Sequence, residues 1–416
     1  MTQNFSVRVC VVGAGPVGGA LACRLAGAGV SVALIDHAAL PPMENPAFDG
    51  RAYAIAAGSR PLLDDAGLWE VLDVPPNPIR DIRVSDGRVG RPPSRLHLHF
   101  DHREVGGDLV GGGPRPFGWM VEARSLRKAL NARFPVQQRL HLFAPARAVV
   151  ERSADAAVVR LESGQAIRCE LVVASEGRDS PLRQQAGIPV TRVPYRQTAI
   201  VCAVAHERPH HDVALEHFLP PGPFAALPMG PSTDAEPGGS AHVSAIVWTE
   251  RTKEAAVFMA LDDTRFAREV GRRLGPHLGA IRAVGRRWIY PLSAMIAHRY
   301  VDTRLALAGD AAHGIHPIAG QGLNLGFRDG IALADLTVEA FLAGRDVGAA
   351  ALLEQYQRVR QVDNLLMFAM TDGLDRLFST DRCVVRTIRD LGSEGVNRLG
   401  PVKRLFMRRA TGVTAA

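Results

Sequence analysis

The segment 305–329 reads LALAGDAAHGIHPIAGQGLNLGFRD and carries the densest chemistry of the chain. An apolar run ends at Gly309-Asp310. Small residues, His313, His316 and Pro317 follow, and Gly320-Gln321-Gly322-Leu323-Asn324 then opens a helical pattern. This order predicts a strand that delivers a carboxylate to its carboxyl end. The helix after it points free N–H groups at whatever the carboxylate holds. A hydroxyl acceptor beside a helix N-terminus suits the ribityl-phosphate part of a flavin. The plainer reading is a Gly-rich strand–helix turn without a ligand.

A second constellation stands at the N-terminus. The apolar run 7–12 precedes Gly13-Ala14-Gly15-Pro16-Val17-Gly18, a helical pattern follows, and a second apolar run, 30–35, ends at Asp36. Strand, glycine turn, helix, strand and acid is the context a dinucleotide fingerprint requires. Gly13 permits the tight turn, Gly15 lets a pyrophosphate approach the backbone, and Gly18 lets helix and strand pack closely. Asp36 is placed to accept from ribose hydroxyls. An acid there disfavours a 2′-phosphate, so NADP is not expected as the tightly held nucleotide. The glycine density, Arg24 and Asp36 argue against reading 9–35 as a signal peptide or a membrane span.

Other elements must position these residues. Residues 51–69 and 120–134 have helical spacing, 140–161 resembles a β-meander, and 171–175 is a buried strand followed by Glu176-Gly177-Arg178-Asp179-Ser180. Runs over 190–250 alternate with Pro/Gly turns. Residues 252–274 are expected to be helical, 288–292 a strand and 328–380 long helices. No internal repeat is visible. His217 and Phe218, with Phe224, Met229 and Tyr290, are expected near a pocket wall. Pro317, His313 and His217 are the catalytic candidates, and His313 or His316 could assist a proton transfer, against the plainer reading of locally bonded or solvent-facing histidines.

Composition narrows the class. The chain has 416 residues, 47% hydrophobic and 22% charged, which is ordinary for a folded protein of two or three domains, or of one fold with a large insertion. Its five cysteines are scattered without a C-x-x-C, which excludes dithiol flavoenzymes and suits a reducing cytoplasm. No metal-ligand cluster, Ser/His/Asp arrangement or second G-x-G-x-x-G is present. The net charge of +7 is concentrated partly in Arg398, Lys403, Arg404, Arg408 and Arg409, interleaved with apolar residues. That tail is read either as a solvated helix or as a surface for anionic lipid or a partner protein. No basic stripe with interleaved aromatics suggests nucleic acid.

Taken together, Gly13 to Gly18, Glu176-Gly177 with Ser180 and Arg183, and Gly309-Asp310 resemble the single-component flavin aromatic hydroxylases of the para-hydroxybenzoate hydroxylase-like class. The closer resemblance is to ubiquinone-biosynthesis hydroxylases of the UbiH/UbiF/Coq6 type. It is carried by Asp49-Gly50-Arg51-Ala52, Phe218-Leu219-Pro220, Leu227-Pro228, Tyr290-Pro291-Leu292 and the block 309–329, and it covers nearly the whole chain. The resemblance implies that Gly13, Gly15, Gly18 and Asp36 bind the ADP half of FAD. It places Arg51 and Arg124 near the pyrophosphate or flavin, and gives Gly309 and Asp310 the ribityl and phosphate. Gly320, Gly322, Leu323 and Asn324 then sit against the isoalloxazine. The middle motif, usually Asp-Gly, is associated with FAD and NAD(P)H. Here it is Glu176-Gly177, and the extra methylene moves the carboxylate.

The implied fold is α/β (α+β), with a Rossmann-like FAD-binding domain, an inserted β-sheet substrate domain and C-terminal helices. The expected FAD-binding parts are 1–75, 101–185 and 285–350. The substrate sheet is expected at 76–100 and 186–284, and a helical region at 351–416. The implied activity is hydroxylation of a polyprenylated phenol or quinol with NAD(P)H as a transient reductant and O₂, in the cytoplasm or at the inner membrane's surface. The alternatives are a non-catalytic subunit of a biosynthetic complex and a hydroxylase of a small soluble aromatic.

Overall fold

A computed structural model describes residues 4–40, 49–90, 98–104, 114–230, 242–316 and 318–378. Five parallel strands, in the order Leu305–Leu307, Leu171–Ala174, Val9–Val12, Val32–Ile35 and Leu140–Phe143, form the centre of one sheet. Val301–Asp302 adds an antiparallel edge. Val9–Val12, Val32–Ile35 and Leu171–Ala174 are buried throughout. Strands covered on both faces need unbroken apolar runs, which is the pattern their sequences show. The helix Pro16–Gly27 leads from the first strand to the next and packs against Gln321–Leu342 and Ala123–Arg133.

The second large sheet is mainly antiparallel. Its order is His313–Gly314, Ile281–Ala297, Val190–His206, His242–Arg251, Gly222–Met229, Val213–Leu219, Asp81–Asp86 and Leu98–Asp101. Side chains alternate between its faces. Ile200, Phe224, Ile246 and Trp248 pack with Phe266 and Val270 of the helix Asp263–Leu274. Ala199, Val201, Ala225 and Val247 face a cavity on the other side. Among the described residues, two smaller sheets complete the β-structure. One is Ala52–Ala56, Gly118–Glu122 and Asn77–Ile79; the other is Asn4–Ser6, Ala166–Cys169, Ala157–Leu161 and Ala148–Arg152.

Several expected elements differ. The helix expected at 51–69 begins as the strand Ala52–Ala56, because that segment pairs along Gly118–Glu122. Helix resumes only at Arg60–Asp65, with Pro61 in its first turn. The same pairing delays the helix expected at 120 to Ala123–Arg133. The meander divides: Leu140–Phe143 joins the parallel sheet, while Ala148–Arg152 and Ala157–Leu161 form an antiparallel pair. The helix at 252–274 breaks into Thr252–Met259 and Asp263–Leu274, the second capped by Asp262, which accepts from Arg265 N–H at 2.8 Å. Ile281–Ala297 is a 17-residue strand paired with Val190–His206, so the second sheet runs past the boundary expected at 285.

Helix Gln321–Leu342 starts before 328, opened by Gly320 in a left-handed conformation (φ 62°). Ala350–Phe378 packs against it. Pro317 and the basic tail at 398–409 lie outside the described residues. Among the described residues no helix is long and apolar enough to cross a membrane.

Candidate active site at the junction of the two sheets

The three glycine-and-acid turns open on one cavity of about 1730 Å³. Ordinary small-molecule pockets hold roughly 300–1,000 Å³, so there is room for a dinucleotide and a second molecule.

The first turn is held from several sides. Asp36 Oδ2 accepts the Ala14 N–H at 2.7 Å and its Oδ1 accepts the Ala38 N–H at 2.9 Å. Ser175 Oγ donates to Val12 O and Gly13 O, and Arg127 Nη1 donates to Ala14 O at 2.9 Å. A Cβ on Gly18 would stand 2.0 Å from Gly13 O, whereas one on Gly15 would meet no protein atom within 4 Å. Gly15 therefore presents bare backbone to the cavity. The following helix has no side-chain cap and no acid in its first turn, so its N–H groups remain available to an anion.

In the middle turn the Glu176 carboxylate is engaged. Its Oε2 accepts from Ser180 Oγ at 2.6 Å and Leu182 N–H at 3.3 Å. Burial pushes its pKa up, and these two donors oppose the shift. Ser180 Oγ in turn caps the short helix Pro181–Gln185 by accepting from Arg183 N–H. Arg183, 2% exposed, donates to Ala311 O and Arg178 O, both at 2.8 Å. The middle turn is thereby fastened to the third.

The third turn carries Asp310 into the cavity with its side chain 46% exposed, where Arg178 Nε donates to Oδ2 at 3.1 Å. Beneath it, Asp329 is fully buried and accepts from Gly309 N–H, His313 Nε2, Arg360 Nε and Asn364 Nδ2. Asn324 fixes the next helix. Its Oδ1 accepts from Ala56 N–H, and its Nδ2 donates to Ala54 O and Gly320 O. Gly320, Gly322, Leu323 and Asn324 line the cavity, and a Cβ on Gly322 would meet nothing within 4 Å.

Of the expected site residues, Gly13, Gly15, Asp36, Glu176, Gly177, Asp310 and the 320–324 turn line this one cavity. Gly18 and Gly309 lie behind it as close-packing positions. Arg51 lies outside the lining: it forks onto Asp49 at 2.9 and 2.6 Å and stacks 4.3 Å from the Trp288 ring. Arg124 is also outside, paired with Glu122 at 2.7 Å. His313 faces Asp329 in the core. His316 bonds Gln197 at 3.2 Å, and burial pushes its pKa down to about 4. His217 bonds Ser85 on the sheet face away from the cavity, and burial again pushes its pKa to about 4. Phe218 and Tyr290 do line the cavity. Strand alternation turns Phe224 behind the sheet, whereas Met229, on the same face as Leu227, lies past the lining in a buried cluster with Ile79 and Phe117.

Sequence reasoning missed Ser175, Arg127 and Asp329 as supports, Arg178 beside Asp310, and Glu216 in the apolar part of the cavity. The three supports belong to ordinary helix and strand patterns and act only through distant partners. Arg178 and Glu216 carried a weak signal, as charged residues next to singled-out positions.

Residues 6–363 match the protein family described as FAD binding domain. The chain is 48% identical over 405 residues to the ubiquinone hydroxylase UbiL of Rhodospirillum rubrum, spanning 97% of this chain and 89% of that protein. It is 31% identical over 413 residues to the 3-demethoxyubiquinol 3-hydroxylase of Escherichia coli, spanning 99% and 100%. A solved structure of p-nitrophenol 4-monooxygenase PnpA from Pseudomonas putida aligns with a TM-score of 0.76 at 17% identity, over 99% of this chain and 100% of that one. That last likeness is one of fold.

Proposed function

The chain belongs to the FAD-binding-domain family and is an FAD-dependent monooxygenase of ubiquinone biosynthesis; on that premise we propose that it hydroxylates the ring of a polyprenylated phenol or quinol, with NAD(P)H as transient reductant and O₂ as co-substrate. The observation that carries this reading is the convergence of Asp36, Glu176-Gly177 and Asp310 on a single cavity whose far wall is mostly hydrocarbon.

The residues fit the cofactor. Bare backbone at Gly15 and the uncapped helix N-terminus behind it would receive the pyrophosphate. Asp36, already held by Ala14 and Ala38, keeps lone pairs for the ribose. Asp310 and Arg178 stand where the ribityl chain and its phosphate would pass, and the 320–324 backbone would face the ring system. When bound, FAD supplies hydride acceptance and oxygen activation. The chain supplies orientation and dryness. The hydrocarbon of Val201, Val247, Leu227 and Phe218 keeps water from the reacting ring. Met367 and Met370 bring flexible apolar cover from the last described helix.

The test is direct. Purified protein should carry FAD, consume NAD(P)H faster when a prenylated phenol is added, and release a product heavier by one oxygen atom. In bacterial strains each lacking one ubiquinone hydroxylase, it should restore quinone synthesis in at least one. Colourless protein that restores none of them would overturn the reading.

A further inference from the structure

The cavity wall formed by the second sheet can be read across its register. Leu98 pairs with Val84, Val84 with Glu216, Glu216 with Ala225, Ala225 with Val247, and Val247 with Val201. All six line the cavity. Five carry hydrocarbon, and one near the middle carries a carboxyl. Glu216 is only 8% exposed. Among the described residues its ionisation answers to burial alone, with no hydrogen bond or charged group contributing. Buried carboxyls are ordinarily paired, so a lone one in a hydrocarbon wall asks for a partner that arrives from outside. On the same face, two residues beyond Val247, Thr249 also lines the cavity, and its buried Oγ1 has no partner among the described residues.

We propose that Glu216 is the polar anchor of the substrate ring: its carboxyl exchanges hydrogen bonds with a ring hydroxyl, while the flanking hydrocarbon takes the rest of the ring and its apolar tail. The inference rests on the hydroxylase reading above and adds a specificity-determining residue to it. Burial holds the carboxyl proton up to about pH 8. A neutral carboxyl both donates and accepts, and so does a phenolic hydroxyl, so two reciprocal bonds can form. A hydrocarbon ring substituent at that point would leave the carboxyl unpaired, and an anionic one would be desolvated without a counter-ion. The wall therefore selects a neutral ring hydroxyl, and Thr249 offers a further contact to another oxygen substituent.

The experiment uses full-length FAD-loaded protein, wild type and the variants Glu216→Gln and Glu216→Leu. The probes are a short-chain prenylated phenol and its O-methyl ether. Binding is read from the change in flavin absorption, and turnover from product formed per NAD(P)H consumed. Wild type should bind the phenol about tenfold or more tighter than the ether. Glu216→Leu should erase that preference, raise KM for the phenol by about tenfold and waste NAD(P)H, with FAD content unchanged. Glu216→Gln, which still donates and accepts, should retain part of the preference. A leucine variant that keeps the wild-type preference and product yield would overturn the anchor. Wild-type protein that hydroxylates no phenol would overturn the functional reading instead, and the flavin absorption change would still decide the anchor.

Discussion

Asp329 holds Gly309 from the core side: its Oδ2 accepts the Gly309 N–H at 3.0 Å, across twenty positions of sequence. The turn that carries Asp310 into the cavity is thus set by a carboxylate that never reaches the cavity itself. Arg360, at 2.8 Å, balances that carboxylate's charge.

Asp329→Asn should therefore loosen the Gly309-Asp310 turn from behind. It takes from Arg360 its fully buried counter-charge and leaves the partly exposed Asp363 at 2.9 Å, a loss on the order of 1–3 kcal/mol. Expected results are a lower unfolding temperature and protein purified with less FAD. Burial works against the Asp329 charge, but His313 and Arg360 outweigh it and hold its pKa down to about 2. The stability it contributes is present above the ordinary carboxylate range and is lost as pH falls through about 2. Wild-type-like flavin content and thermal stability in the variant would remove this role.

Gly15 and Gly18 should respond in opposite ways to the same added methyl. A Cβ at Gly18 collides with Gly13 O and Ser175 Oγ, at 2.0 and 2.2 Å. Gly18→Ala should therefore lower folded stability by about 1–3 kcal/mol, as overpacking does. Gly15 has an ordinary φ of −64° and open space ahead of it. Gly15→Ala should fold normally and lose FAD. Thermal unfolding and flavin absorbance on both variants check the contrast, and equal behaviour would contradict it.

Asp310→Ala should yield folded protein with little bound flavin. The side chain is half-exposed, so its removal costs the fold little, while Arg178 keeps its bonds to Ser293 and loses only the carboxylate beside it. Retention of full FAD occupancy by this variant would reassign the turn.

Glu216 should make stability fall with rising pH in ligand-free protein. Burial raises its folded pKa to about 8, from an ordinary value of 4.5. Between those values the unfolded chain has released the proton and the folded chain has not. Unfolding is favoured as pH rises, by an amount on the order of a few kcal/mol. Glu216→Gln cannot ionise, so its unfolding temperature should exceed that of wild type by more at pH 8 than at pH 5. A gap that does not grow across that range would show that the carboxyl is not buried as a neutral acid.

The sequence by itself determined the three turns. Gly13-x-Gly15-x-x-Gly18, Glu176-Gly177 and Gly309-Asp310 are legible because each answers a local demand: a tight turn, bare backbone, or an acid at a strand's carboxyl end. The buried parallel strands were legible too, since coverage on both faces forces unbroken apolar runs. Only the tertiary structure decided what lies between the turns. Residues 51–56 have helical spacing and yet form a strand, because pairing with Gly118–Glu122 supplies backbone partners that local propensity cannot foresee. His217 points away from the cavity and Glu216 into it because a strand alternates its faces, and the register that fixes which face is which is set by the neighbouring strands. Asp329 is silent in the sequence for a related reason. An acid inside a helical pattern looks solvent-facing until Gly309, His313 and Arg360 are brought around it by contacts remote along the chain.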